Sequence, residues 1–159
     1  MVRSQRWKRQ VGLAFALIGL TALGLLTNTR TSIAQPAEHV MEDFGLLGSW
    51  ALDCSKPEAR DNVYTVFRRE TGGVRRTYHI APNTVSGDAL IKTARRLSEH
   101  QIEYDLVTAN NERLTVTLMK AGNRIQVWAS RNADGKKLVT DGVRADNGSM
   151  TSIQTLCSR

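Results

Sequence analysis

From residue 48 onward, apolar and polar positions alternate in short runs, each ending in glycine, proline, asparagine, aspartate or serine. The clearest run is "QIEYDLVT" (101–108), where Ile102, Tyr104 and Leu106 alternate with Glu103 and Asp105. A period of two belongs to a strand with one buried face. "RLTVTLMK" (113–120) likewise sets Leu114, Val116 and Leu118 on one side. Runs of the same kind fall at 48–54, 63–70, 74–80, 124–131, 136–145 and 150–157. "ALIKTARRL" (89–97) is rich in helix formers, but its place among strands favours a strand. "SKPEARDN", "TGG", "APNTVSGD", "ANNE", "AGN", "NADG" and "DNGS" lie between the runs, and Asn147-Gly148 signals a tight hairpin turn.

Connections this short make neighbouring strands antiparallel. The expected fold is therefore all-β, an up-and-down meander of eight or nine strands over residues 47–159. A meander has two exposed edges, and closure into a barrel removes both. Closure sets the first strand beside the last, with Cys54 and Cys157 near the seam. Nine strands put those two ends at one end of the barrel, and eight put them at opposite ends. A bridge favours nine, or a last strand that bends back. The expected interior is Trp50, Leu52, Tyr78, Ile80, Tyr104, Leu106, Leu114, Val116, Leu118, Ile125 and Val127. A barrel of this size is filled by its own side chains or holds one small ligand, and a packed interior is favoured.

The N-terminus changes the charge picture. "MVRSQRWKRQ" is basic without an acid, "VGLAFALIGLTALGLL" is apolar, and small residues precede Gln35. That is the pattern of a signal peptide over residues 1–34, cleaved near Ala34. The apolar stretch is shorter than the roughly 18–20 residues that span a bilayer. Residues 35–46, beginning "QPAEHVMED", read as a flexible or weakly helical lead-in. The whole chain carries +7, but five of its 22 basic residues and none of its 15 acids lie before residue 35. The remainder carries +2, so the high pI of 9.9 does not argue for a nucleic-acid partner. The expected location is the periplasm or the exterior, with membrane contact at most peripheral. Two cysteines in an oxidising compartment favour a disulfide between Cys54 and Cys157 over an intermolecular bridge or free thiols. Closing a loop of about 100 residues restricts the unfolded chain by up to roughly 4–5 kcal/mol.

Gly48-Ser49-Trp50 on the first strand resembles the Gly-x-Trp that opens lipocalins and related calycin barrels. The resemblance implies that Trp50 closes the barrel bottom and that Gly48 admits a close chain approach. No lipocalin-type Thr-Asp-Tyr turn is present. The chain also resembles secreted bacterial metalloprotease inhibitors, which share a small barrel, a Gly-x-Trp start and one disulfide, although their cysteines lie close in sequence. "GSWALDCSKP" with a late cysteine resembles a group of exported bacterial proteins, a likeness that implies no activity.

Enzyme signatures are absent: there is no Gly-x-Ser-x-Gly, His-Glu-x-x-His, phosphate loop or Cys-x-x-Cys. His39, His79 and His100 are scattered, and no cofactor or metal is expected. The arginine doublets are more informative. Arg68-Arg69 and Arg75-Arg76 flank the "TGG" turn and gather four guanidinium groups at one end of the barrel, a candidate anion site. Alternation points one member of each doublet inward unless the strand overhangs the rim. Trp50, Tyr78 and Tyr104 are the candidate ligand-binding residues. The functional expectation is a non-catalytic exported binding protein for a small apolar or amphipathic ligand. The alternative is a protein-protein module, such as a protease inhibitor or envelope-assembly accessory, working through its tail or loops.

Overall fold

The computed structural model describes residues 35–159, so the signal-peptide expectation lies outside the described residues. The strands are β1 (Gln35–Pro36), β2 (Gly48–Ala51), β3 (Tyr64–Glu70), β4 (Gly73–Ala81), β5 (Thr84–Arg96) and β6 (Gln101–Thr108). They continue with β7 (Arg113–Ala121), β8 (Arg124–Asn132), β9 (Lys137–Thr140), β10 (Val143–Arg144) and β11 (Ile153–Ser158). One helix, α1 (Ala37–Asp43), precedes β2. Strands β2 to β8 form an antiparallel meander, and β11 joins β8 to β2. The result is a closed eight-stranded antiparallel barrel.

The expected strand over 136–145 stands outside the ring. It breaks at Asp141 and Gly142, both with positive φ, into the β9–β10 hairpin. The tight two-residue turn is therefore Asp141-Gly142, while Asn147-Gly148 lies in a wider loop closed by the Val143–Met150 bridge. Strand β8 serves two partners along one edge, β11 at residues 124–126 and β9 at 130–131. Residues 89–97 are strand for most of their length, within the 13-residue β5. The "APNTVSGD" loop shrinks to Pro82-Asn83, because β5 starts at Thr84.

With eight strands, Cys54 and Cys157 meet because the chain leaves its ladder. Ala51 pairs with Thr155, and continued pairing would carry Cys54 past the start of β11. Instead the chain turns after Ala51, β11 is irregular between Leu156 and Ser158, and the disulfide forms with the Cα atoms 5.3 Å apart. The same turn leaves Leu52 exposed, although its parity placed it inside. Asn62 holds the returning loop. Its amide donates to the carbonyls of Asp53, Lys56 and Pro57 and accepts from the Asp53 N–H.

The lead-in is an ordered floor. Ala37, Val40 and Met41 of α1, with Phe44 and Leu46 after it, are buried in the main core. A Schellman closure ends the helix, Gly45 N–H donating to Glu42 O and Leu46 N–H to Met41 O. Trp50, wholly buried, donates from Nε1 to Leu46 O at 2.8 Å. Arg69 pairs with Glu42, and the Arg96 and Lys120 cations lie 5.6 and 5.4 Å from the Phe44 ring. Above the floor, Phe67, Ile91, Ile102, Leu106 and Leu118 fill the lower barrel. A register shift between Ile91 and Thr93 lets Ile91 and Ala94, an odd number of residues apart, both turn inward.

Gly48 has φ +132, and a Cβ there would lie 2.3 Å from Ser158 O. Gly48→Ala is expected to lose about 2–4 kcal/mol, from backbone strain and displacement of the seam. A lower urea midpoint at unchanged slope would show it. An unchanged midpoint would mean that the seam yields freely.

Candidate ligand-binding site

The barrel is packed at the end closed by α1 and hollow at the other. A cavity of about 840 Å³ opens from the upper interior towards the β9–β10 hairpin and the loop before β11. A fully packed interior, favoured from the sequence, holds only for the lower half. The reason is side-chain size: the upper walls carry Thr65, Ser86, Ser130 and Thr151, while the large side chains sit lower. Phe67, Tyr104, Val116, Leu118 and Ile125 form the cavity floor. Val63, Leu114 and Val127 line the walls, and Leu138 and Val139 of the β9–β10 hairpin border the opening. Gln154 donates to Val63 O and Gln126 to Thr151 O, tying β11 and the preceding loop to the walls.

Arg76 lies inside this barrel. Inward parity places it on β4 between Val74 and Tyr78, and it is 8% exposed. Its guanidinium lies 4.8 Å from the centre of the Tyr78 ring. Nη1 donates to the Tyr104 hydroxyl at 3.3 Å, and Nε is buried without a hydrogen-bond partner. Burial works against the charge of Arg76 and the two tyrosines work for it; the balance lies above the ordinary arginine value, so the group stays cationic. Burial also pushes the Tyr104 phenol upward, against the pull of Arg76, and keeps it protonated. The Tyr104 ring meets Phe67 edge-on at 6.4 Å between centroids.

Gly87 makes room for this arrangement. It pairs with Tyr78 across β4 and β5, and a Cβ there would fall 2.7 Å from Tyr78 Cδ2. Nothing in the sequence pattern singles it out.

The candidate site residues separate. Tyr78 and Tyr104 line the cavity, whereas Trp50 lies below it in the core and does not line it. The four arginines are not gathered. The β3–β4 turn lies at the floor end, where Arg69 pairs with Glu42, and Arg75 pairs with Glu70 and Asp88. Arg68 is exposed opposite Arg75. Only Arg76 reaches the cavity. Strand alternation divides the doublets, and that signal was present in the sequence.

His79 does find an acid. Its Nδ1 lies 3.4 Å from Glu58 Oε1, and its Nε2 lies 3.0 Å from Thr77 Oγ1. Thr77 and His79 line neither of the two hollows in the upper barrel, and the contact ties the 52–62 loop to β4. Among the described residues no group of three or more His, Cys, Asp or Glu side chains is placed to hold a metal.

A charge buried in an apolar interior without a carboxylate partner has a stability signature. Arg76→Met is expected to leave the unfolding midpoint unchanged or raise it, since a buried unpaired charge is removed. Thermal and urea unfolding would check it, and a clear loss of stability would make Arg76 a structural residue. No family model, curated protein or solved structure matches the chain.

Proposed function

We propose that this chain is an exported, non-catalytic binding protein that holds a small amphipathic molecule in the upper barrel. The observation that carries the reading is the cavity, about 840 Å³ over an apolar floor, above a packed lower barrel. Its volume lies within the span of small-ligand sites, roughly 300–1,000 Å³. The Cys54–Cys157 bridge and the basic-then-apolar N-terminus support export. For the alternative, a protein-protein module working through its tail or loops, the burial of Ala37, Val40 and Met41 under the barrel speaks against the tail and leaves the loops.

The test is native mass spectrometry of unreduced protein from its own host, together with binding of a neutral solvatochromic dye. A co-purifying small molecule, or saturable dye uptake, is the expected result. Ser130→Trp fills part of the cavity and is expected to weaken dye binding at least about tenfold while the fold is kept. A clean apo mass, with dye uptake that is absent or untouched by Ser130→Trp, would refute the proposal.

A further inference from the structure

We infer that the ligand carries one carboxylate on an apolar body, and that Arg76 binds this carboxylate; the inference rests on the cavity being a ligand site. Arg69, Arg75, Arg95, Arg131 and Arg144 all pair with carboxylates at the surface, where pairing contributes least. Arg76, the buried one, has no carboxylate partner among the described residues. Its one hydrogen bond goes to Tyr104, and its Nε has none. A desolvated cation without a counter-ion is costly, and Tyr78 offsets only part of that cost. A ligand that supplies the anion offsets the rest.

The chemistry around Arg76 selects the anion. The guanidinium only donates. Tyr104, accepting from Nη1, keeps its own proton to donate. No carboxylate of the larger cavity competes, because Asp146 at its mouth is paired with Arg144. The smaller hollow beyond Tyr78, about 420 Å³, carries Glu112, whose charge disfavours an anion on that side, and Asp88, which is already paired with Arg75. A single buried positive charge balances a single negative one, and a planar carboxylate matches the planar guanidinium fork. A phosphate monoester would bring excess negative charge into an apolar site. Lys136 and Lys137 at the opening add positive potential on the way in.

The experiment is isothermal titration of the oxidised protein with dodecanoate, dodecanol and dodecyl phosphate, each kept below its aggregation concentration. Dodecanoate is expected to bind about 10–100-fold tighter than dodecanol, the worth of a charge-assisted hydrogen bond in a desolvated site, and tighter than the phosphate. Arg76→Met should abolish the difference between acid and alcohol, and Arg76→Lys should keep part of it. Tyr104→Phe gives an independent check if the methionine variant does not fold: it should weaken dodecanoate severalfold and spare dodecanol. Equal affinity of the wild type for acid and alcohol would overturn the role of Arg76 and leave the cavity reading standing. Tighter binding of the phosphate would overturn the carboxylate assignment. Failure of all three probes to bind would overturn this inference and the cavity reading together.

Discussion

Trp50→Ala is expected to lower stability by about 3–5 kcal/mol, the range for removing a large aromatic side chain from a packed core. Trp50 is wholly buried where α1, the lead into β2 and the lower barrel meet. Its loss opens a cavity under the ring strands and strips Leu46 O of the indole N–H that it accepts. For a domain whose total stability is about 5–15 kcal/mol, the loss leaves a marginal protein. Trp50→Phe separates the two contributions, because it keeps an aromatic ring and loses the hydrogen bond. Its expected cost is smaller, about 1–3 kcal/mol. Urea denaturation followed by circular dichroism measures both. A cost below about 1 kcal/mol for the alanine variant would show that floor and walls are not one cooperative unit.

Removal of the seam bridge has the second large effect. Cys54 and Cys157 are 103 residues apart, so the bond constrains nearly the whole unfolded barrel chain. The chain-entropy model gives about 4.7 kcal/mol for a loop of this size, within the roughly 2–5 kcal/mol lost when small domains lose a native disulfide. The double variant Cys54→Ala/Cys157→Ala is expected to fall in that range. The ladder that remains at this seam is short, with Ala51, Trp50 and Ser49 facing Thr155, Leu156 and Ser158. Asn62 still braces the 53–62 loop, so the native structure should persist while its unfolding midpoint drops. Coincident urea transitions for oxidised and reduced protein would contradict this.

The walls of the barrel were legible in the sequence, and its two ends were not. Ile102, Tyr104 and Leu106 alternate with charged residues, so parity alone turns them inward, as it does Leu114, Val116 and Leu118. Parity fails where the chain leaves the ladder. Leu52 follows a bend, and residues 137–144 form a hairpin outside the ring, so nine strand-like runs make an eight-stranded barrel. Residues 37–46 hid their part for another reason. Ala37, Val40, Met41 and Phe44 recur at helical spacing, but over a segment shorter than the window that makes such a pattern decisive, and their burial depends on a barrel completed far downstream. Arg76 was half legible. The doublet pattern turns one arginine inward, but whether that arginine meets a carboxylate or a cavity depends on the chain positions opposite it.

The helix beneath the barrel makes the barrel a cup. A tube of eight strands has two mouths, but here the lower one is stopped by the residues that precede the first ring strand, with Trp50 set into the stopper. Seven residues do not hold a helix alone, so the stopper sets only when β4 and β5 stand beside it. Once it is set, an occupant has no through-route. On the proposed reading a ligand enters and leaves at the open end, beside the β9–β10 hairpin.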